Sequence, residues 1–432
     1  MNVWLVTIGE PIPVREGARD RLYRTGYFGQ FLAHHGHDVT WWASTFDHSR
    51  KKHWFDETSH VRLDSGLDMR LLHGCGYSWN MSPYRLRDHH QIARQFSQLA
   101  RQEKRPPDIV LCSFPTIDLC LASVEYGEQT RVPVVLDMRD MWPDIFAEMM
   151  IRPLRPLVRL ACWPMYRAAR RACSRATAIT GITESFVDWG LSLGNRSRSS
   201  LDCAFPMGYA TTAPSQEKIQ AAEKFWDQQG ILADSQKFTA AFVGTIGRQL
   251  DVRTIIQAAR KLASKSAVIQ FVLCGVGDCL PQLRRLAAGL PNVIFPGWID
   301  AAAIHVLMRR SRIGLDPLPD RFDFHATINN KAIEYMSAGL PILSSPNRGV
   351  LAELLNSENC GLSYAYGDVD GLVTTLLRLV DDPEQTKILA WNSARLFQNR
   401  FTAEGVYREM MTYLKMIVDA RAHPSTIARK AA

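Results

Sequence analysis

Short apolar runs alternate with amphipathic stretches along the whole chain, and this alternation predicts βαβ units built on parallel sheets. In the first half, runs typical of buried strands occur at Val3–Ile8, Asp38–Ala43, Met69–His73, Ile109–Ser113, Val132–Asp137 and Thr177–Thr180. Helical periodicity lies between them at Gly26–His35, Arg85–Arg101 and Ile117–Glu125. The charged, aperiodic stretch Thr45–His60 indicates a loop.

A second series of the same kind follows the Gly-, Pro-, Ser- and Thr-rich stretch Cys203–Ser215, which is typical of an interdomain linker. Strands are predicted at Phe238–Val243, Val268–Cys274, Asn292–Phe295, Ile313–Asp316 and Pro341–Ser345. Helices are predicted at Asp251–Ala263, Pro281–Ala288, Ala301–Arg309, Asn330–Ala338 and Asp370–Val380. We therefore expect an α/β protein with two doubly wound, Rossmann-like domains, residues 1–210 and 215–400, followed by a last helix at 402–421.

The bulk properties agree with this picture and exclude several classes of protein. The 432 residues are 46% apolar and 22% charged, which is ordinary for two globular domains. The nine cysteines are scattered without a CxxC pair, so we expect reduced thiols and no zinc site. The chain start lacks the features of a signal peptide, and no apolar run reaches the roughly 20 residues of a membrane span. We therefore expect a protein that is cytoplasmic or that lies on the inner face of the plasma membrane without crossing it.

The net charge of +8 has one conspicuous source, the stretch Ile151–Arg175. It carries seven arginines and no acidic residue, with leucine, tryptophan and other apolar residues interleaved. Such a basic amphipathic segment is typical of a peripheral helix on an anionic membrane surface, and we expect no nucleic-acid partner. An ordinary packed helix with a basic solvent face is the alternative.

A strand running into a small glycine loop, Phe242–Arg248, is the first candidate for chemistry. Glycine backbone N–H groups can approach phosphate oxygens closely, which makes Gly244, Thr245 and Gly247 candidate binding residues. The guanidinium of Arg248 can pair with a pyrophosphate. The alternative is a tight βα turn with a surface arginine.

The second candidate is the block Thr327–Ser345, a helix ending at Gly339 followed by a buried strand. Lys331 and Glu334 are three positions apart near the helix start, so they share one face. A carboxylate there can accept both hydroxyls of a ribose, while the lysine and the helix start at Asn330 contact phosphate. The alternative is a surface ion pair between the two.

These two motifs, in this order, resemble the donor half of glycosyltransferase family 4, in which a strand ending in a VG turn precedes an NKxxEYMAxGxPI-like block; here it reads NNKAIEYMSAGLPI. The resemblance implies the GT-B fold, with two Rossmann-like domains facing a central cleft. It implies an acceptor domain at 1–210, completed by the last helix at 402–421, and a donor domain at 215–400. It also implies that Glu334 binds the ribose of a nucleotide and that Arg248 and Lys331 contact its pyrophosphate. The family's other glutamate is replaced by Ala326, so Asp316 and His325 remain as candidates on the sugar side.

A third motif, Val134–Asp144, is a buried strand ending in the charged sequence Arg-Asp-Met-Trp-Pro-Asp. It resembles the RDxWP-containing subgroup of lipopolysaccharide and capsule glycosyltransferases, with Arg139 where many relatives have histidine. Arg139 can stabilise a departing phosphate, and Asp140 can orient or deprotonate an acceptor hydroxyl. A strand-end salt bridge is the structural alternative.

The first βα connection, from Gly9 to Gly29, is long, and long loops at strand carboxyl ends often carry function. By the same resemblance, Arg24, Thr25 and Gly26 lie on the acceptor side. The connection contains three further arginines that we expect to be solvated or to contact an acceptor phosphate: Arg15, Arg19 and Arg21. No GxGxxG occurs here, which counts against a nicotinamide-dependent dehydrogenase.

The resemblance thus predicts a retaining glycosyltransferase that moves a sugar from a nucleotide-diphosphate sugar, with UDP favoured, to a hydroxyl. The expected acceptor is a glycan linked to polyprenyl diphosphate, in cell-surface polysaccharide biosynthesis. We expect no metal and no further cofactor, because the cationic side chains can neutralise the diphosphate. A nucleotide-sugar 2-epimerase and a non-catalytic nucleotide-binding scaffold of the same fold remain as alternatives.

Overall fold

The computed structural model describes residues 1–14, 22–263 and 268–422; the three predicted loop arginines Arg15, Arg19 and Arg21 lie outside them. The chain divides into two compact α/β units. The first comprises Met1–Pro206 together with the C-terminal stretch from Tyr407, and the second comprises Met207–Val406. The assignment of these parts to acceptor and donor stays a prediction.

The strands of the first unit are short and mostly buried on both faces, as expected of a parallel sheet covered by helices. In the described residues they are β1 Asn2–Val6, β2 Asp38–Ser44, β3 Phe46–Asp47, β4 Lys52–His53, β5 Ser59–Arg62, β6 Leu67–Leu72, β7 Ile109–Phe114, β8 Val134–Met138, β9 Ala178–Gly181 and β10 Cys203–Ala204. Eight of these form the main sheet, in the order β10-β9-β8-β7-β1-β2-β6-β5. All neighbours in it pair in parallel except β5, which runs antiparallel to β6.

The helices of the first unit connect these strands. They are α1 Arg24–His34, α2 Pro83–Ala100, α3 Ile117–Thr130, α4 Asp144–Glu148, α5 Arg155–Ala161, α6 Trp163–Arg175 and α7 Glu184–Gly194. A 3₁₀ turn at Arg152–Leu154 precedes α5. The basic stretch predicted from the sequence is thus several short helices, because its prolines begin new ones.

The second unit contains a six-stranded parallel sheet in its described residues, in the order β13-β12-β11-β14-β15-β16. Its strands are β11 Phe238–Val243, β12 Ile269–Cys274, β13 Val293–Gly297, β14 Ile313–Pro317, β15 Ile342–Ser345 and β16 Gly361–Ser363. Its helices are α8 Gln216–Gln228, α9 Val252–Ala263, α10 Leu280–Leu286, α11 Ala301–Arg310, α12 Phe322–His325, α13 Asn330–Ser337, α14 Val350–Ser357, α15 Val369–Asp381 and α16 Pro383–Arg400. This strand order is that of a Rossmann fold and confirms the predicted doubly wound α/β class.

The last helix, α17 Ala403–Ala422, contributes its part from Tyr407 to the first unit. The ring of Tyr407 lies 5.7 Å from that of Phe28 on α1, and the Tyr413 hydroxyl donates to the carbonyl of Leu201 at 2.7 Å. Apolar and hydrogen-bonding contacts therefore join α17 to α1 and to the connection between α7 and β10. No helix within the described ranges is long and apolar enough to cross a membrane.

The prediction of a loop at Thr45–His60 was wrong in part. The stretch contains a hairpin formed by the two-residue strands β3 and β4, and also the start of β5. Strands of two residues leave no periodicity in a sequence, and β5 is an edge strand without a continuous apolar run.

Candidate functional site

The candidate site of the second unit lies where the central strands β11 and β14 end side by side. In this strand order, successive connections leave to opposite faces of the sheet at that point and open a crevice for a ligand. The loop at 244–248 follows β11, Asp316 is near the end of β14, and α13 begins after the next connection. The topology thus gathers the donor residues predicted from the sequence at one edge of one sheet.

The loop after β11 is anchored by Ile246, whose side chain is fully buried. The Ile246 N–H donates to the carbonyl of Val276 at 2.9 Å, and the Gly244 N–H donates to that of Cys274 at 3.1 Å. Thr245 is exposed between them. The buried Ile246 side chain and these two hydrogen bonds therefore hold the loop in place, while Thr245 and Gly247 keep access to solvent.

Asp316 is a fully buried carboxylate at this edge. Its Oδ2 accepts a hydrogen bond from Nδ2 of Asn329 at 2.6 Å, and Asn329 Oδ1 accepts the N–H of Ala332 at 2.8 Å, which caps α13. Its Oδ1 lies 3.7 Å from Nζ of Lys331 and has no hydrogen-bond partner among the described residues. Burial raises the pKa of Asp316, and the charge of Lys331 opposes that rise. The helix start, the lysine and the carboxylate form one connected polar group.

Tyr335 fixes α13 against the sheet. Its hydroxyl accepts the N–H of Val243 at 3.1 Å and donates to the carbonyl of Leu315 at 3.2 Å, bridging β11 and β14. Gly314 makes this possible, because a Cβ there would lie 2.4 Å from the Tyr335 ring. The neighbouring positions Asn330, Lys331 and Glu334 are held on a rigid support as a result.

Glu334 does not pair with Lys331, although the two share a helix face. Its carboxylate accepts a hydrogen bond from the hydroxyl of Tyr209, whereas Lys331 turns to Asp316. The alternative of a surface ion pair between Lys331 and Glu334 is therefore wrong. The predicted ribose ligand instead has a tyrosine as a competing partner within its own unit.

Arg248 and His325 differ in how firmly their side chains are held. The Arg248 side chain is 88% exposed and lies 3.4 Å from a carboxylate oxygen of Asp278, a surface contact of little energetic weight. His325, at the end of α12, contacts Asp320 at 2.7 Å, and Arg348 pairs with the same carboxylate. The structure thus leaves Arg248 able to reach a ligand and ties His325 into an ion-pair cluster.

In the first unit, a buried polar network lies at the carboxyl ends of the central strands. Asp137, near the end of β8, is fully buried and accepts hydrogen bonds from Arg24 at 3.0 Å, Arg139 at 2.7 Å and Thr180 at 3.0 Å. Burial by itself raises the pKa of Asp137, but the charges of Arg24 and Arg139 outweigh it and hold the pKa at about 2. The charged form is therefore locked in place.

The network extends to the loop after β1 through Glu10. Its carboxylate pairs with Arg139 and accepts both the hydroxyl and the N–H of Thr25, at 2.7 and 3.0 Å. The hydroxyl oxygens of Thr25 and Thr7 lie 3.2 Å apart, so Thr7 borders the same network. Arg139 thus forms the strand-end salt bridge that was its structural alternative, and its catalytic role stays a prediction.

The other residues predicted in this unit, Arg24, Gly26 and Asp140, are buried or half-buried. Arg24 is buried and also donates to the carbonyl of Pro206 at 2.6 Å, so its contacts are internal. Gly26 follows on the first turn of α1, where a Cβ would lie 3.0 Å from Leu22. Asp140 accepts the N–H of Met141 at 2.8 Å and is half-buried. The acceptor-side and catalytic assignments of these residues stay predictions.

Sequence reasoning missed the acids that organise the first unit, Asp137 and Glu10. Asp137 carried a signal, since it is an acid inside the apolar run Val134–Met138. Tyr209 carried none, because it lies in the linker-like stretch 125 residues before its partner Glu334. The described residues contain no group of three His, Cys, Asp or Glu side chains suited to a metal, and the expectation of a metal-free reaction stays a prediction.

The segment that holds the second site matches a known family. Residues 237–382 match the family described as Glycosyl transferases group 1. The chain is also similar to 2-deoxystreptamine N-acetyl-D-glucosaminyltransferase of Niallia circulans, with 25% identity over 177 residues, which is 40% of this chain and 43% of that protein. The matched stretch spans less than half the length of this relative.

Two solved structures share the architecture of the whole chain. Sucrose-phosphate synthase from Thermosynechococcus elongatus has a TM-score of 0.71 and 15% identity, covering 97% of this chain and 99% of that one. Anabaena HepE, solved in complex with UDP, has a TM-score of 0.65 and 15% identity over 96% and 100% of the two chains. The chain thus has the GT-B fold, and the glycosyl transferases group 1 match contains the whole polar group around Asp316.

Proposed function

We propose that this protein is a glycosyltransferase that transfers a sugar from a nucleotide-diphosphate sugar to a hydroxyl group. The observation that carries the proposal is the group formed by Asp316, Asn329 and Lys331 beside the glycine loop at 244–248. It lies where β11 and β14 end side by side, inside the segment that matches a glycosyltransferase family.

The chemistry needed at such a site is neutralisation of a leaving diphosphate. Lys331 supplies a partly buried ammonium and Arg248 an exposed guanidinium. The starts of α9 and α13 supply helix N-termini. In this proposal Thr245, Gly247 and Asn330 contact phosphate, and Glu334 binds the ribose. The Gly244 N–H already donates to Cys274, so Gly244 contributes only by the close approach of its backbone to the phosphate. We favour UDP because HepE was solved with that nucleotide.

The finer assignments extend the proposal. We infer transfer with retention of configuration, without a metal, to a glycan carried on polyprenyl diphosphate in the assembly of cell-surface polysaccharide. Arg139 and Asp140 are proposed to act on the acceptor side together with Arg24, Thr25 and Gly26. Asp316 and His325 remain the proposed contacts on the sugar side of the donor.

Donor binding is tested by thermal unfolding with UDP, GDP, ADP and their sugars, since a ligand bound only by the folded protein raises the melting temperature. We expect UDP compounds to give the largest rise. Glu334→Ala should weaken UDP binding about ten-fold or more, because it removes charge-assisted hydrogen bonds to the ribose. The matched variant Tyr209→Phe keeps the carboxylate and removes its competing donor, so it should bind UDP at least as tightly. An unchanged dissociation constant in Glu334→Ala rules out the ribose role.

Transfer itself is tested by incubating donor sugars with a membrane extract and measuring the nucleotide released. Release that depends on the extract supports a transferase. Formation of an epimer from donor alone would identify a 2-epimerase, and nucleotide binding without either reaction would identify a scaffold.

We also propose that the segment at 151–175 lies on an anionic membrane surface. Its large apolar side chains are turned to solvent, with Leu160 71% and Ile151 69% exposed. Arg155 and Arg159 pair with Glu148, and Arg171 and Arg175 with acids of α3. Exposed leucines beside arginines are what an interfacial segment needs.

Sedimentation with phosphatidylglycerol vesicles tests this surface. The double variant Arg167→Glu with Arg170→Glu should lose about 30-fold or more in vesicle affinity, since each basic residue near such a surface contributes about 1 kcal/mol. Both side chains are exposed. The control, Lys218→Glu with Lys224→Glu, reverses two exposed charges on α8 and should sediment like the unaltered protein. Equal sedimentation of the two double variants would contradict the membrane proposal.

A further inference from the structure

Next to the Val134–Asp144 motif, Arg85 on the first turn of α2 is a partly buried cation held by two aromatic rings. Its Cζ lies 4.4 Å from the ring centroid of Trp142 and 5.5 Å from that of Tyr77. Its Nη1 donates to the carbonyl of Asn80 at 3.1 Å, while Nε is buried with no hydrogen-bond partner among the described residues. Burial lowers the pKa of Arg85. A guanidinium in this condition gains from an anion beside it.

A second cation, Lys51, shares the same asparagine. Its Nζ lies 4.8 Å from the centroid of the Tyr77 ring and donates to Oδ1 of Asn80. Both oxygens of Asn80 are therefore occupied, one by each cation, which leaves the amide Nδ2 as a donor. No carboxylate of a described residue is within ion-pair distance of Lys51 or Arg85. The Lys51–Asn80–Arg85 cluster thus offers donors and positive charge, and its hydrogen bonds within the described residues go to the neutral oxygens of Asn80.

Two local turns bring Lys51 and the start of α2 close together. Asp47 Oδ1 accepts the N–H groups of Ser49 and Arg50 at 2.8 Å each, and this turn delivers Lys51 with φ 55°. Gly76, with φ 63°, turns the chain just before Tyr77; a Cβ there would lie 2.8 Å from His53. Two loops that follow neighbouring strands, β2 and β6, therefore meet at the start of α2.

The neighbouring titratable groups leave this charge in place near neutral pH. Burial, with the charge of Arg85, lowers the pKa of His48 to about 4 and that of His89 to about 3, so both histidines are neutral. The carboxylates that face Arg85 are Asp88 and Asp140. Each already accepts a backbone N–H, at 2.8 Å in both cases.

The surface around the cluster suits a sugar ring. Trp79 is 78% exposed, and Tyr84 and Met81 are also exposed. Aromatic faces pack well on the apolar face of a pyranose, while cations and amides bind its substituents. The start of α2 carries no acidic residue in its first turn, so the helix adds to the positive potential.

We propose that the Lys51–Asn80–Arg85 cluster binds the anionic group, a carboxylate or a phosphate, of a saccharide whose ring contacts Trp79. That this saccharide is the acceptor rests on the proposed transferase function; the anion site itself rests on the contacts around Arg85. If it is, the acceptor is a glycan that carries a negatively charged sugar.

Titration calorimetry on the whole protein, without nucleotide, tests this site with three probes. They are methyl β-D-glucuronide, glucose 6-phosphate and the neutral methyl β-D-glucoside. We expect at least one anionic sugar to bind about ten-fold or more tightly than the glucoside. Tighter binding of the glucuronide would identify a carboxylate as the preferred group, and tighter binding of glucose 6-phosphate would identify a phosphate. Lys51→Gln and Arg85→Gln should each remove most of this preference. The controls Lys52→Gln and Arg87→Gln remove a charge at the adjacent or nearby exposed position and should retain it.

Three results would overturn the inference: equal binding of charged and neutral sugars, a preference that survives both Lys51→Gln and Arg85→Gln, or loss in the controls as well. Phosphatidylglycerol vesicles serve as a fourth probe. Vesicle binding that needs Lys51 and Arg85, without binding of any sugar, would assign the cluster to a lipid surface instead. UDP-induced thermal stabilisation is measured on the same samples, so failure here with normal UDP binding leaves the proposed function standing. Because Lys51 lies on a surface turn, its variant keeps the test valid even if Arg85→Gln fails to fold.

Discussion

Replacing Lys331 by alanine is expected to lower kcat about 10²–10³-fold in the nucleotide-release assay, the loss typical of removing one group that stabilises developing charge. The Lys331 side chain is only 20% exposed, and Nζ lies 3.7 Å from the buried Asp316. A cation so placed is held in position before the diphosphate departs. The effect should fall on kcat more than on KM, because the leaving group gains charge only as the bond breaks.

The matched control is Lys261→Ala on α9, which removes a lysine paired with Asp370 at 2.6 Å on the surface of the same unit. It should leave kcat within about two-fold of the unaltered protein, since exposed pairs contribute little. Melting temperatures of both variants separate lost turnover from lost folding. A folded Lys331→Ala protein with normal kcat would remove this lysine from the mechanism.

Replacing Asp137 by asparagine is expected to cost the first unit about 3–5 kcal/mol of unfolding free energy. The variant keeps the shape of the side chain but leaves Arg24, which is 1% exposed, buried opposite a neutral group. Arg139 loses one of its two acidic partners at the same time. Urea unfolding followed by emission of the buried Trp4, Trp41 and Trp42 measures the loss.

The same carboxylate predicts a dependence of stability on pH. The folded pKa of Asp137 is about 2, below the value of about 3.9 expected for the unfolded chain. Its contribution is therefore fully present above the unfolded value and is lost as the pH falls from about 4 toward 2. Asp38→Asn, at an exposed pair with Arg105, is the control and should change stability by no more than about 0.5 kcal/mol. Equal losses in the two variants would contradict a structural role for the buried network.

Much of the fold followed from local pattern. The predicted strand Ile109–Ser113 is observed as Ile109–Phe114, and Phe238–Val243 is observed without change. Parallel strands covered on both faces appear in the sequence as continuous apolar runs, which is why they could be recognised. The antiparallel edge strand β5 has a mixed polar and apolar sequence and was missed.

The site was predictable only in part. The spacing of Lys331 and Glu334 on one helix face follows from helical geometry alone. Their partners do not: Tyr209 is 125 residues from Glu334, and Arg24 is 113 residues from Asp137. No local pattern encodes such pairs, since they depend on which strands become neighbours in the sheet.

By itself the sequence determined two doubly wound α/β parts, a glycine loop and a helix start that it predicts to bind a nucleotide diphosphate, and a concentration of arginines at 151–175. Apolar periodicity and residue spacing predict these features because both depend only on residues that are close together along the chain. Only the tertiary structure decided that Lys331 faces Asp316 rather than Glu334, and that Arg139 belongs to the buried network of Asp137. It also decided that Lys51 and Arg85 meet at Asn80. The reason is physical: strand order sets which loops share a sheet edge, and burial sets which charges must find a partner there.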